Sequence, residues 1–454
     1  MTSSSSLSSP AARDSRNRPL AAGLVLAVTL VAFETTAVIT ALPTITDELG
    51  GDSLYGAALA SYLLADLVSL VAAGEMADRH GPRRPFVLSV VTFVVGLVVA
   101  AAASSMLVVV LGRVLQGAGA GGLASISYVI VRRAFPEARQ PGMYALLSAG
   151  WVLPSLVAPA VSGLLTDTVG WRWVFLALVP LAVAVAALTA RAMAHLEADG
   201  DAGAAQPSRI PAAALLAVSV GVVIAGLQTG RPLVALPLAI AGSIAAAPAF
   251  RRLTPPGVVR ARRGLPAVLA VRTLATATFL GVDSFVPLAA DRVHGAPSVV
   301  QGFTIVGAAL MWTVGQAIAA RRRDWSASNG ATIGFVLLLA GVVMVAPVLR
   351  AGWPLPAVFA AWAVGGLGMG ILFNPTTVAA MTYAEVGREG TVAGQVHLAD
   401  SLGFALMGGI GGATVALADR TTWSLTAALA TNFALAGACA LVGLFASRGV
   451  RGAG

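Results

Sequence analysis

The chain has 454 residues, of which 57% are hydrophobic and 11% charged, where a soluble domain carries about 25% charged residues. A mean hydropathy of +0.85 leaves more apolar side chains than a core of this length can hide, which excludes soluble globular, disordered and collagen-like classes. The net charge of +9 comes from arginine alone, since all 29 basic residues are Arg, and the one cysteine, Cys439, excludes an intrachain disulfide.

Crossing about 30 Å of hydrocarbon takes about 20 helical residues. In chain order, a Ser-rich, Arg-bearing segment at 1–19 is expected to be a disordered cytoplasmic tail and not a cleavable signal. Six apolar runs follow, near 20–42, 54–74, 86–104, 107–131, 142–165 and 172–190, and predict an N-terminal six-helix bundle over 20–190. Residues 191–264 are predicted as cytoplasmic linkers around an inserted helix pair near 210–229 and 232–250. Only Gln228-Thr229-Gly230-Arg231-Pro232 separates that pair, so two full spans or one re-entrant hairpin both fit. Runs near 265–288, 297–320, 330–349, 355–377, 394–418 and 425–446 predict a C-terminal bundle over 265–446, and 447–454 a second cytoplasmic tail. The fold class is thus an all-α membrane protein with fourteen transmembrane helices.

The arginines divide by loop. With the N-terminus inside, 22 lie on the inner side and five on the outer, while Arg113 and Arg272 fall within predicted helices. This asymmetry places both termini in the cytoplasm of a multi-pass protein of the cell membrane. Basic clusters at alternate ends of apolar runs set orientation, so no nucleic-acid partner is expected. Trp171, Trp173, Trp325, Trp353 and Trp423 fall at predicted helix ends as interfacial anchors. Trp151, Trp312 and Trp362 fall inside helices, where they either line a cavity or pack.

The loop after the second run reads Gly74-Glu75-Met76-Ala77-Asp78-Arg79-His80-Gly81-Pro82-Arg83-Arg84. A glycine ends the helix, an acid sits at the surface, and a glycine turn is pinned by arginines that cannot enter lipid. This order resembles the signature of the major facilitator superfamily, with Met76 and Pro82 as departures. The resemblance implies two six-helix bundles, and an inner gate in which Asp78 meets a helix N-terminus near Gly390 to Gly394. Leu111-Gly112-Arg113-Val114-Leu115-Gln116-Gly117-Ala118-Gly119-Ala120-Gly121 resembles the family's fourth-helix motif. Gln116, Gly117 and Gly121 there are read as helix-packing residues of the small-xxx-small kind. Phe33-Glu34-Thr35-Thr36 through Leu42-Pro43 resembles the first helix of the fourteen-helix drug:proton antiporter branch, with Glu34 as the acid. The exporter motif of the fifth helix survives in part, as Pro159 and Gly163, which are likewise read as helix-packing residues.

Charges inside spans are costly, about 2.5–3.5 kcal/mol each at a helix centre, and so mark candidate sites. They are Glu34, Asp66, Arg113, Arg272, Asp283 and Asp400. Counted along their helices, Glu34 lies about 21 Å from the inner surface and Arg113 about 9 Å from the outer one, which is the same depth. The two are expected to face one cavity and pair, with Asp66 as a second protonation site or a cavity wall. Arg272 and Asp400 form a possible second pair, either structural or part of transport. His397, three residues before Asp400, is a relay candidate or a packing histidine. Asp283 either acts or simply reaches water. No zincin, CxxC or phosphate-loop spacing occurs, so no metal and no cofactor is expected.

A carboxyl set between low-dielectric surroundings and a guanidinium feels opposed influences and can exchange its proton near working pH. Together with the resemblance, this implies a proton-coupled efflux antiporter of drug-like, lipophilic or cationic molecules, working as a monomer in the bilayer. Its partners are protons, lipid and a small-molecule substrate. An exporter of a specific metabolite or lipid on the same scaffold remains open. So does a polytopic enzyme or sensor, although no polar constellation of the enzymatic kind is present.

Overall fold

A computed structural model describes residues 10–50, 54–193, 207–228, 232–296, 298–322, 325–418 and 421–450. Among these the chain is helical throughout, with no strand. The first half contains α1 (Pro10–Leu49), α2 (Tyr55–His80), α3 (Arg83–Ala101), α4 (Met106–Ala134), α5 (Gln140–Ala149), α6 (Val152–Thr168), α7 (Arg172–Leu176) and α8 (Leu178–Ala192). An inserted pair follows, α9 (Ile210–Gln228) and α10 (Pro232–Leu253). The second half contains α11 (Leu265–Asp283), α12 (Val286–His294), α13 (Ser298–Arg321), α14 (Ala327–Val345), α15 (Leu355–Thr382), α16 (Glu389–Ala418) and α17 (Leu425–Ala446).

Among the described residues, twelve helical stretches are long and apolar enough to cross a membrane, by length and composition. The expected count of fourteen is not reached, at the fifth and seventh spans. The fifth is divided into α5 and α6 at Gly150-Trp151, so neither part has the length alone. The seventh gives only the shorter apolar stretch Ile210–Gly226. The predicted separator of the inserted pair lies at 229–231, outside the described residues, as do 1–9 and 451–454 of the two tails. Within the segment expected as a disordered tail, α1 already begins at Pro10.

The two halves repeat one packing scheme. In the first, α2 and α3 pack on α4, and α1 packs on α6 and α8; in the second, α13 and α14 pack on α15, and α11 on α16 and α17. Close approach is set by glycine. A methyl group added at Gly117 or Gly121 would collide with the backbone carbonyl of Tyr62 or Asp66, so α2 and α4 touch along their backbones. The halves meet where α2 and α4 lie against α16, and where α5 lies against α13 and α15 and α6 against α13. At the α2–α16 seam, Gly74 and Gly390 leave no room for a Cβ on either side. The pair α9–α10 sits on that seam through a satellite apolar core of Leu67, Leu70 and Val71 from α2, Ala213 and Leu216 from α9, Leu253 from α10 and Leu398 from α16.

Candidate functional site: buried ion pairs and the α2–α16 seam

The side chain of Glu34 is completely buried, and that of Arg113 is 2% exposed. The pair forms where α1, α2 and α4 converge: Arg113 donates through Nη1 to Glu34 Oε1. The guanidinium has further partners. It donates to Gln116 Oε1 at 2.9 Å and, through Nε, to the Ala58 carbonyl at 3.4 Å. It also lies over the Tyr62 ring, 4.1 Å from its centroid, while Tyr62 shares a 3.1 Å hydrogen bond with Thr35. Glu34 Oε2 has no partner among the described residues. Asp66 is half-buried one turn along α2 from Tyr62.

Two sequence assignments change here. Gln116, read as a packing residue, is fully buried with its amide oxygen on Arg113, because a guanidinium out of water needs more acceptors than one carboxylate offers. Gly163, read as close-packing, faces open space, where an added Cβ meets nothing within 4 Å. The neighbouring Ser162 makes the contact instead, donating to the Ala37 carbonyl at 2.7 Å, while Pro159 lies inside α6. Tyr62 was not singled out by sequence. Its position four residues before Asp66, on the same helix face, is the signal that could have found it.

In the second half, Arg272 is fully buried and grips Asp400 with two nitrogens, the Nε–Oδ1 distance being 2.9 Å. Its Nη1 donates to the Phe373 carbonyl at 3.1 Å and to Thr377 at 3.0 Å, and its charge lies 3.4 Å above the Phe373 ring. Thr276 lies 3.3 Å from Asp400. The His397 ring packs on Tyr128 of the other half at 4.5 Å, and its Nε2 is buried without a partner among the described residues. Tyr128 thereby reaches the neighbourhood of Arg272, Asp400 and Thr377. Trp362 is buried, stacks on Phe279 at 5.2 Å and donates to Asp283 at 2.7 Å, which gives that acid a partner inside the protein. Trp312 packs edge-on to Phe279 at 5.0 Å. Trp151 stands half-exposed at the α5–α6 break.

At the arginine-rich end the halves are pinned together. Asp78 accepts the backbone N–H groups of Gly390 at 2.7 Å and Thr391 at 2.9 Å, and the Thr391 hydroxyl at 3.0 Å. This is a carboxylate at the N-terminus of α16, where the exposed amides and the helix dipole favour negative charge. Arg133 donates to Glu389 at 2.7 Å, and Asn374 to the Pro141 carbonyl at 2.7 Å. Gly81 ends α2 with φ +76°, the backbone that its turn requires. Arg79 lies 3.9 Å from Glu75, while Arg83 and Arg84 are exposed in the first turn of α3. Glu75 in turn accepts the Ser208 hydroxyl at 3.0 Å and the Arg209 backbone N–H, which ties α2 to the start of α9. Gln395 of α16 donates to the Leu253 carbonyl of α10 at 3.0 Å. The inserted pair is therefore hydrogen-bonded to both halves across the seam.

Among the described residues no group of three or more His, Cys, Asp or Glu could hold a metal.

Comparison with known proteins agrees with this architecture. A probable multidrug-efflux transporter of Mycobacterium tuberculosis is 29% identical over 434 residues, covering 89% of each chain. An uncharacterized MFS-type transporter of the same organism is 37% identical over 174 residues, which is 38% of this chain and 25% of the relative. The crystal structure of a human organic anion transporter superimposes with a TM-score of 0.72 at 14% identity, over 95% of this chain and 99% of the other. A proton:xylose symporter does so with a TM-score of 0.65 at 13% identity, over 95% of each. The family model of the Major Facilitator Superfamily matches residues 24–408. With a chain-length match of that kind on top of the duplicated helical halves and the Asp78–α16 contact, the chain belongs to the major facilitator superfamily.

Proposed function

We propose that this transporter is a proton-coupled antiporter that exports drug-like, lipophilic molecules from the cell by alternating access. The observation that carries the reading is the buried Glu34–Arg113 pair, with one carboxylate oxygen left unpartnered. In the paired state Glu34 is charged. A proton arriving from the outer water neutralises it and releases the guanidinium, which Gln116, the Ala58 carbonyl and the Tyr62 ring continue to hold. Those partners matter, because a buried charge stripped of every partner costs about 3–5 kcal/mol. When the arginine-rich end opens, the proton leaves to the cytoplasm and the ion pair re-forms. The driving energy is the proton gradient plus about 2.3 kcal/mol per charge per 100 mV of membrane potential.

Asp66 serves in this reading as a second carboxyl on the same face of α2, and the Arg272–Asp400 pair as the fixed charge of the second half. The printed description of the mycobacterial relative, multidrug efflux, supports the export direction. The inserted α9–α10 pair between the two halves favours the fourteen-helix antiporter branch, with α9 and α10 as its extra helices. The arginine-rich end is then cytoplasmic, in the cell membrane, with both termini inside.

The test is transport in vesicles of the purified protein under an imposed pH gradient, with a panel of cationic, anionic and neutral amphiphiles. Uphill movement of a panel member that collapses with the gradient supports antiport. Equal movement with and without the gradient removes proton coupling.

A further inference from the structure

One cleft lies away from the buried ion pairs. It opens between α1 and α5 of the first half and α13 of the second, with a volume of about 770 Å³. Arg18, Arg139 and Arg321 stand on its walls, with Phe135, Met143 and Leu146 among the apolar lining. No carboxylate lines it among the described residues. Three guanidinium groups over an apolar trough make an amphipathic, positively charged groove at the level where the chain carries its basic loops. An inorganic anion would meet the positive charge and leave the trough wet, while an alkyl chain alone would not answer the positive charge of the walls.

We propose that this cleft is a binding site for an anionic phospholipid of the surrounding leaflet. Its phosphate sits among Arg18, Arg139 and Arg321, and the start of an acyl chain lies along Phe135, Met143 and Leu146. Lipid is the natural occupant, because two of the walls, α1 and α13, are long and apolar enough to cross a membrane, and basic pockets between such helices attract anionic headgroups. The cleft joins the two halves at a place separate from the α2–α16 seam. A bound headgroup therefore bridges α5 and α13 and favours the state closed at the arginine-rich end.

The experiment is native mass spectrometry of the full chain released from nanodiscs of phosphatidylglycerol or of phosphatidylcholine. The wild type is expected to retain phosphatidylglycerol selectively. The triple variant Arg18→Gln/Arg139→Gln/Arg321→Gln is expected to lose that retention by about a hundredfold, near fivefold per guanidinium removed. A control of equal charge change at exposed positions outside the cleft, Arg251→Gln/Arg252→Gln/Arg260→Gln, is expected to bind within about twofold of wild type. Leu146→Trp, which fills the trough at a half-exposed position without altering charge, is expected to weaken retention too and covers the case of a misfolded triple variant. Displacement of the lipid by glycerol phosphate would identify a free-anion site and overturn the assignment. Equal losses in the cleft and control triples, or none in the cleft triple, would overturn it as well. Glu34→Gln is expected to retain the lipid, which separates this site from the transport reading.

Discussion

The Asp78 carboxylate on α2 accepts two backbone N–H groups of α16, those of Gly390 at 2.7 Å and Thr391 at 2.9 Å, where Gly74 and Gly390 bring the helices into backbone contact. The contact joins the two halves at the arginine-rich end and must break whenever that end opens. Replacing a charged cap by a weaker one costs about 1 kcal/mol or more. Asp78→Asn is therefore expected to raise the open population by about fivefold or more. In a Cys439→Ser background, Gly394→Cys reports this as faster labelling by a membrane-impermeant thiol reagent added at that end. An unchanged labelling rate would count against the gate.

Glu75 performs the same task for the inserted pair, by accepting the Ser208 hydroxyl and the Arg209 N–H. Glu75→Ala leaves the α9 terminus uncapped. Hydrogen exchange at Arg209 and Ile210 is expected to quicken about fivefold, the equivalent of one lost cap of about 1 kcal/mol. Labelling at Gly394→Cys should rise with it, because the pair spans the seam through Gln395 and Leu253. Faster exchange with no change in labelling would show a tether that does not reach the gate.

The Arg272–Asp400 pair separates structure from coupling. Arg272 is fully buried and Asp400 is 20% exposed, so the two single changes are unequal. Asp400→Asn strands a fully buried guanidinium that cannot shed its charge, with Phe373 and Thr377 left to hold it, and should destabilise by about 3–5 kcal/mol, whereas Arg272→Met leaves a partly exposed carboxylate that can take up a proton and should cost less. The double variant Arg272→Met/Asp400→Leu is expected to unfold at a higher temperature than Arg272→Met alone. Melting in detergent checks the order. If the double variant also keeps gradient-driven transport, the pair is structural.

At the opposite end, Glu48 accepts hydrogen bonds from Arg172 at 2.7 Å and Trp171 at 2.9 Å, which join the end of α1 to α7. These two hydrogen bonds hold its carboxyl below the usual carboxylate range. A lowered value means that the folded state prefers the ionised form, so this contact's contribution is fully present above the ordinary carboxylate range. It is lost as pH falls through the lowered value. Trp171 fluorescence is expected to stay constant from neutral pH down to the carboxylate range and to shift only below it. In Glu48→Gln that acid transition should vanish.

Much of this was legible in the sequence because lipid imposes strong local rules. Apolar run length gave the helices, and arginine asymmetry gave the end at which Asp78, Glu389 and Arg133 gather. The equal depths of Glu34 and Arg113 anticipated their contact. What escaped depends on azimuth, which depth does not contain. Gln116 and Tyr62 surround Arg113 only because of how α2 and α4 turn about their axes, with Gly117 and Gly121 pressed on the α2 backbone. Gly163 fails as a packing residue for the same reason, since α6 presents Ser162 to α1 instead. The division of the fifth span at Gly150-Trp151 and the satellite core beneath α9–α10 are likewise products of tertiary packing.

The most direct test concerns Glu34. In proteoliposomes, Glu34→Gln keeps a hydrogen-bonding side chain beside Arg113 but cannot carry a proton. Substrate efflux against its gradient, driven by an imposed pH difference, is expected to fall at least a hundredfold, while downhill exchange of the same substrate persists. Uphill efflux at the wild-type rate in Glu34→Gln would contradict the account.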